Sequence, residues 1–213
     1  MFDKDIRKQL QEILAQMQDK VRLILFTQEI ECPYCKEAHQ FAREITALSD
    51  RLSLSVYRLI DDKAMAERYR VDKAPAFLLL DKDDQDMRVR FFGIPGGFEI
   101  NSFLFSILTA SGRRENIPQE IRDRIDRIDK DTLLQVFVSL TCPNCPDAVL
   151  AANLLAMINP KIRSESIESG MFVHLAIRHN VSGVPKTVVN GNTEWVGALP
   201  IPLMLDMIEK APE

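Results

Sequence analysis

Two short stretches decide the reading of this chain: Cys32-Pro33-Tyr34-Cys35 and Cys142-Pro143-Asn144-Cys145. Together they hold all four cysteines at one spacing, leaving none for a structural disulfide elsewhere. Cys142 follows Cys32 by 110 residues, and the same offset carries Val71 onto Val181 and Pro75 onto Pro185. A register kept over more than forty residues is the mark of an internal duplication.

Working outward from the cysteines, the same apolar pattern appears twice. Leu23, Ile24 and Phe26 map onto Leu133, Leu134 and Val136 and read as buried strands. After each pair comes a stripe at helical spacing, Ala38, Phe41, Ile45 and Leu48 in one copy and Ala148, Ala151, Leu155 and Ile158 in the other. Second strands are expected at 52–59 and 162–167, then short helices ending at Tyr69 and His179, then the prolines, then strands at 76–80 and 186–189. A hairpin closes each copy. Its turn is Asn190-Gly191 in the second, a pair that favours a tight two-residue connection, and the longer, acidic 81–86 in the first. Final helices are expected near 98–109 and 202–210.

An amphipathic leader helix precedes each repeat, with Ile6, Leu10, Ile13 and Met17 on one face and Ile117, Ile121, Ile125 and Ile128 on the other leader's face. Between the copies, Ser111-Gly112-Arg113-Arg114-Glu115-Asn116 is polar and carries a helix stop. The expected architecture is therefore α/β, with two tandem domains, 1–112 and 113–213, each a mixed sheet flanked by helices.

A Cys-X-X-Cys placed after a buried strand and at the head of a helix sets its first sulfur near unpaired backbone N–H groups and the positive end of the helix dipole. The thiolate is favoured there, and the thiolate is the attacking species in disulfide exchange. Cys32 and Cys142 are the candidate nucleophiles. Cys35 and Cys145, about one helical turn on, are placed to resolve a mixed disulfide. Pro33 and Pro143 suit the first helical position, where a missing N–H costs nothing. Pro146 has no counterpart at Lys36 and is expected to alter the start of the second helix.

Glu29, Glu31 and Glu37, set against Lys36, surround the first pair, compared with Asp147 alone at the second, so Cys32 is expected to have the higher thiol pKa of the two nucleophiles. Pro75 and Pro185 each stand just before a strand, an awkward place for a trans proline. The expectation is that Ala74-Pro75 and Val184-Pro185 are cis and expose backbone groups to an extended substrate segment. Tyr34 and Asn144, inside the cysteine turns, border the same groove. The substrate-facing set is thus Pro33, Tyr34, Ala74, Pro75, Pro143, Asn144, Val184 and Pro185.

Several classes are disfavoured. The net charge of -4 is shared by both halves, and no cationic cluster suited to a phosphate backbone is present. The charged N-terminal residues Asp3, Lys4, Asp5, Arg7 and Lys8 do not read as a secretory signal, and the longest apolar run, 149–158, is too short to span a bilayer. A cytoplasmic protein is expected, without membrane or nucleic-acid partners. Four thiolates could bind zinc, but Cys142 lies 107 residues after Cys35 and each pair has its own domain and proline. No metal or bound cofactor is expected beyond the redox disulfides Cys32–Cys35 and Cys142–Cys145. His39, His174 and His179 are given no role, and Trp195 is expected to pack in a strand.

With its paired motifs, the sequence resembles the glutaredoxin-like protein disulfide oxidoreductases, tandem thioredoxin-fold proteins, over nearly its whole length. Cys32-Pro-Tyr-Cys35 matches the glutaredoxin motif, and Gly93-Ile-Pro-Gly-Gly-Phe-Glu99 is similar to that family's segment after the last strand. The tryptophan that usually precedes the cysteines of thioredoxins is replaced by Glu31 and Thr141. The resemblance implies dithiol–disulfide exchange with disulfide-containing protein substrates and reduction by an NADPH-dependent flavin reductase. A related tandem module, with one working cysteine pair, feeds electrons to a peroxiredoxin in alkyl hydroperoxide reductases, which is the alternative reading. A redox-inactive peptide-binding or chaperone module is a second alternative.

Overall fold

The run Val21–Thr27, apolar but for its Arg22 and Thr27, forms a strand, β1, that lies central in the first half of a computed structural model describing residues 2–211. Residues 1, 212 and 213, the ends of the two expected domain spans, lie outside the described residues. Ahead of β1 runs α1 (Lys4–Leu14), capped by the Asp3 carboxylate, which accepts the Ile6 N–H at 2.8 Å. Its buried side is Leu10 and Leu14, continued by Met17 beyond the helix end, whereas Ile6 is 42% exposed. The expected leader face is therefore rotated: 3.6 residues per turn carry the stripe from Leu10 to Leu14, away from Ile6 and Ile13.

After β1 come α2 (Cys35–Thr46), β2 (Leu52–Arg58), α3 (Lys63–Tyr69) and the hairpin of β3 (Ala76–Leu80) and β4 (Asp86–Phe92). The strand order is β2-β1-β3-β4, with β1 parallel to β2 and antiparallel to β3, and β3 antiparallel to β4. β3 is buried at all five residues, as a strand covered on both faces must be. Phe41 of α2 meets Phe77 of β3 edge-on, 5.7 Å between centroids, which locks the cysteine-bearing helix onto the sheet.

The second half repeats the plan. After a 3-10 turn (Gly97–Glu99) and α4 (Ile100–Ala110), the final helix of the first repeat, it runs through α5 (Gln119–Asp126), β5 (Thr132–Val138), α6 (Cys145–Ile158), β6 (Ile162–Glu168), α7 (Val173–Arg178), β7 (Lys186–Val189), β8 (Thr193–Val196) and α8 (Ile201–Lys210). Its strand order is β6-β5-β7-β8 with the same directions. Asn159, buried after α6, donates to the Ile125 and Ile128 carbonyls at 2.6 and 2.8 Å and so closes the end of α5.

Pairing corrects the strand alignment. Val21 pairs with Leu52, but the residue opposite Ile162 is Thr132, and Phe26 faces Ala76 where Phe137 faces Lys186. β5 thus answers β1 at an offset one residue greater than the cysteines do, so Phe26 matches Phe137 rather than Val136. A one-residue slip inside a strand would turn its core face outward, so the change is absorbed in the loop before the second cysteine pair.

The turn at Asn190 is also longer than expected. Val189 pairs with Thr193, leaving three residues between the strands. Asn190 and Gly191 both take positive φ, 49° and 75°, and the Asn192 N–H closes on the Val189 carbonyl at 3.0 Å, so a tight Asn-Gly turn is present with one further residue after it.

The chain divides into two compact units, Met1–Ile94 with Leu104–Arg113, and Pro95–Phe103 with Arg114–Glu213. Residues 95–103, which lie inside the expected first domain, are therefore part of the second unit.

Candidate functional site: two disulfides ahead of helices

In both units the cysteines are joined as disulfides, Cys32–Cys35 and Cys142–Cys145, with Cα–Cα separations of 5.4 and 5.5 Å. The partners differ in access. Cys35 and Cys145 are buried, while Cys32 and Cys142 are half-buried and flanked by exposed Pro33, Tyr34, Pro143 and Asn144. An attacking sulfur must be reached by a partner and a resolving sulfur need not be, so this asymmetry suits the assigned order.

The helices begin at the second cysteine of each pair, not at the proline. Cys32 and Cys142 lie in a preceding turn closed by the Cys35 N–H on the Cys32 carbonyl, 3.3 Å, and by the Cys145 N–H on the Cys142 carbonyl, 3.4 Å. Pro33 and Pro143 are therefore turn residues, where the ring fixes φ just as usefully. Pro146 leaves the start of α6 level with that of α2, because a proline in the first turn removes only an N–H that has no helical partner.

Both expected cis bonds, Ala74-Pro75 and Val184-Pro185, are present. The two prolines are anchored alike: the Pro75 carbonyl accepts the Gly93 N–H at 3.0 Å, and the Pro185 carbonyl accepts the Gly197 N–H at 2.7 Å. In the second unit the Val184 carbonyl oxygen lies 3.7 Å from the Cys142 sulfur. In the first, the Gln28 N–H donates to the Cys35 sulfur at 3.3 Å.

The surroundings differ more than the sulfurs do. At the first turn Glu29 is ion-paired with Arg58 at 2.6 Å, Glu31 and Glu37 are exposed, and Ile30 is 73% exposed. At the second, the loop before Cys142 is braced from the 3-10 turn: the Phe98 N–H donates to the Leu140 carbonyl at 3.0 Å. Gly97 there has φ +54°, and a side chain on it would collide with the Leu140 carbonyl, so only glycine permits this approach. Next to Phe98 stands Glu99, 1% exposed, its Oε2 accepting from Ser102 Oγ at 2.7 Å and its Oε1 without a hydrogen-bond partner among the described residues. Burial pushes its carboxyl up to about 7 against the opposing pull of the Ser102 hydrogen bond. The turn that carries it packs on α6.

A second pair of groups escaped the sequence reading. Arg90 of β4, 1% exposed, donates Nη2 to the Tyr69 carbonyl at 2.7 Å and pairs with Asp86. Lys186 of β7, 4% exposed, donates Nζ to the His179 carbonyl at 2.7 Å and pairs with Glu194 at 2.9 Å. Tyr69 and His179 are equivalent in the duplication, so each unit caps the end of the helix before its cis-proline loop with a buried cation, drawn from a different strand. Glu99 left one faint signal, a lone acid between Phe98 and Ile100 ahead of an apolar helix; Arg90 and Lys186 left none beyond being cations in apolar strands.

Among the described residues no group of three or more His, Cys, Asp or Glu side chains is placed to hold a metal, and no helix is long and apolar enough to cross a membrane. Trp195 is half-buried in β8, and His179 packs its ring on Phe137 at 5.1 Å.

A duplicated sheet with a half-buried sulfur ahead of a helix and a cis-proline in each copy defines a thiol–disulfide oxidoreductase built from tandem thioredoxin folds. Residues 132–208 match the thioredoxin domain family. The chain is 32% identical over 201 residues to the alkyl hydroperoxide reductase protein AhpF of Staphylococcus aureus, covering 94% of this chain and 36% of that protein. With the AhpF of Escherichia coli the identity is 29% over 213 residues, 38% of that protein's length. The chain thus spans little more than a third of these curated relatives.

Among solved structures, the NTD_N/C domain of alkylhydroperoxide reductase AhpF from Enterococcus faecalis superposes with a TM-score of 0.91 at 26% identity, covering 98% of this chain and 100% of that one. A protein disulfide oxidoreductase from Aeropyrum pernix does so with a TM-score of 0.90 at 25% identity, covering 98% and 94%.

Proposed function

We propose that the chain exchanges dithiols for disulfides with protein substrates at both sites, Cys32 and Cys142 attacking and Cys35 and Cys145 resolving. The carrying observation is the contact of the Cys142 sulfur with the Val184 carbonyl beside a cis-proline, which leaves peptide groups facing the reactive atom. In the reduced protein the thiolate attacks a partner disulfide, forming a mixed disulfide and releasing one partner thiolate. The resolving thiolate then attacks the nucleophile's sulfur, releasing the second; two electrons pass to the partner and an intramolecular disulfide remains. Pro33, Tyr34, Ala74, Pro75 and their counterparts Pro143, Asn144, Val184, Pro185 line the approach in this reading.

We further propose that Glu99, buried in the turn whose Phe98 N–H braces the loop before Cys142 and raised in pKa to about 7 by that burial, couples its protonation to exchange at the second site through this loop. The domains are 1–112 and 113–213, with 95–103 serving the second site, and the protein works in the cytoplasm, re-reduced by an NADPH-dependent flavin reductase.

A second reading is favoured by the relatives' names and by coverage of a whole solved AhpF domain: the chain acts as the disulfide relay of an alkyl-hydroperoxide-reducing system, passing electrons to a peroxiredoxin. Insulin disulfide reduction with dithiothreitol tests the first reading, and peroxiredoxin-coupled NADPH oxidation with a flavin reductase tests the second. Turnover that survives replacement of all four cysteines by serine rules out both.

A further inference from the structure

Beside the first cysteine turn, an open cleft of about 530 Å³ runs along α2, lined by Arg7, Lys36, His39, Gln40, Arg43 and Glu44 and reaching Ala47. It begins at the residue after Cys35. From Lys36 to Ala47 the helix rises about 16 Å, the span of about five residues of extended chain.

The charge of this cleft is opposite to that of the chain as a whole, which is -4. Its one carboxylate, Glu44, is already engaged: Arg7 Nη2 reaches Oε2 at 2.8 Å, the Phe2 N–H donates to Oε2 at 3.2 Å, and Gln40 Nε2 donates to Oε1 at 2.9 Å. The Gln40 hydrogen bond foremost, with that of the Phe2 N–H among the others, holds its carboxyl down at about 2. Lys36, His39 and Arg43 follow one another at three and four residues, one turn apart on one face, and none of their side chains has a hydrogen bond or ion pair with another described residue. Of the acids near the turn, Glu29 is paired with Arg58, and Glu31 and Glu37 do not line the cleft.

We propose that this cleft docks an acidic, extended segment of the protein whose disulfide exchanges at Cys32–Cys35, with Lys36, His39 and Arg43 meeting its carboxylates. The spacing of these groups suits alternate residues of an extended chain, which lie about 7 Å apart. Docking along the helix delivers the partner's disulfide to the half-buried sulfur at its head and raises the encounter rate by charge complementarity. The proposal rests on exchange at the first site.

The test uses the full chain with Cys142→Ser and Cys145→Ser, so that only the first site reacts, and three disulfide peptides differing in a tail of four Glu, four Gln or four Lys. At low ionic strength the Glu-tailed peptide should oxidise the reduced protein about 10-fold faster than the Gln-tailed one, a preference that falls to under about 2-fold in 0.5 M salt. Lys36→Gln with Arg43→Gln should abolish that preference, read as the ratio of the Glu-tailed to the Gln-tailed rate within the same variant. Equal rates for Glu and Gln tails, or a preference that survives the double change, overturn the docking proposal alone. No reaction with any peptide overturns exchange at this site and the docking with it.

Discussion

The carbonyl oxygen of Val184 lies 3.7 Å from the sulfur of Cys142, although 42 residues separate them in the chain. On the proposed reading, a peptide group that close to the sulfur, presented by the loop before β7, lets one surface both bind an extended chain and do chemistry on its disulfide. The loop is held from behind, by Gly197 on the Pro185 carbonyl and by Lys186 on the helix that precedes it.

Replacing Cys32 by serine should abolish exchange at the first site, and replacing Cys142 should abolish it at the second. Each single variant keeps part of the insulin-reducing activity and the double variant loses it. Cys35→Ser and Cys145→Ser should instead trap mixed disulfides, visible by mass spectrometry. An unchanged rate in the double variant rejects the assignment.

Between the nucleophiles, Cys32 should ionise at the higher pH, because the exposed Glu31 and Glu37 next to its turn outweigh Lys36, the nearest cation, while only Asp147 opens α6. Thiolate ultraviolet absorbance, followed against pH in variants that keep one site each, measures the order. Cys32 ionising first refutes it.

Glu99 should make stability fall as pH rises. Its folded-state value of about 7 stands above the ordinary 4.5, so the folded chain holds a proton that the unfolded chain releases earlier. Its contribution is intact below pH 4.5 and is lost as pH climbs through 7, to a total of about 3 kcal/mol. Glu99→Gln should flatten that dependence in denaturant titrations. It should also remove a pH step near 7 from exchange at the second site while leaving the first unaltered; the step persisting in the variant would exclude the proton role.

Gly97→Ala should cost at least about 2 kcal/mol, since the added methyl meets the Leu140 carbonyl at a φ that side chains avoid. Because that turn braces the loop before Cys142, the second site should slow more than the first. Equal slowing of both sites would show that the brace has no local effect.

Lys186→Met should destabilise the chain by about 2–4 kcal/mol, because it leaves the His179 and Asn180 carbonyls without their buried donor. Chemical denaturation measures the loss, and a variant as stable as the parent would show that water replaces the ammonium at no cost.

The duplication, the strand–cysteine–helix order, the hairpins and the two prolines were all legible in the residues, because each has a local signature. Buried strands read as apolar runs, helices as stripes at three and four, and a proline before a strand as a special bond. Boundaries were less legible. The helices start at Cys35 and Cys145 rather than at the prolines, since the cysteine turn closes first through its own hydrogen bond. The alignment of β5 slipped by one because apolar composition alone does not distinguish Val136 from Phe137 as the partner of Phe26; only strand pairing does.

By itself the sequence determined where the sulfurs stand relative to their own helices, for that is a matter of neighbours within a few residues. Tertiary structure alone decided that Glu99, written inside the first repeat, is buried in the compact unit that holds the second cysteine pair, and that Arg90 and Lys186 serve one purpose from different strands. Burial and long-range pairing give these groups their chemistry: a carboxyl's pKa rises, and a cation becomes a helix cap, only when folding removes the water that would otherwise surround it.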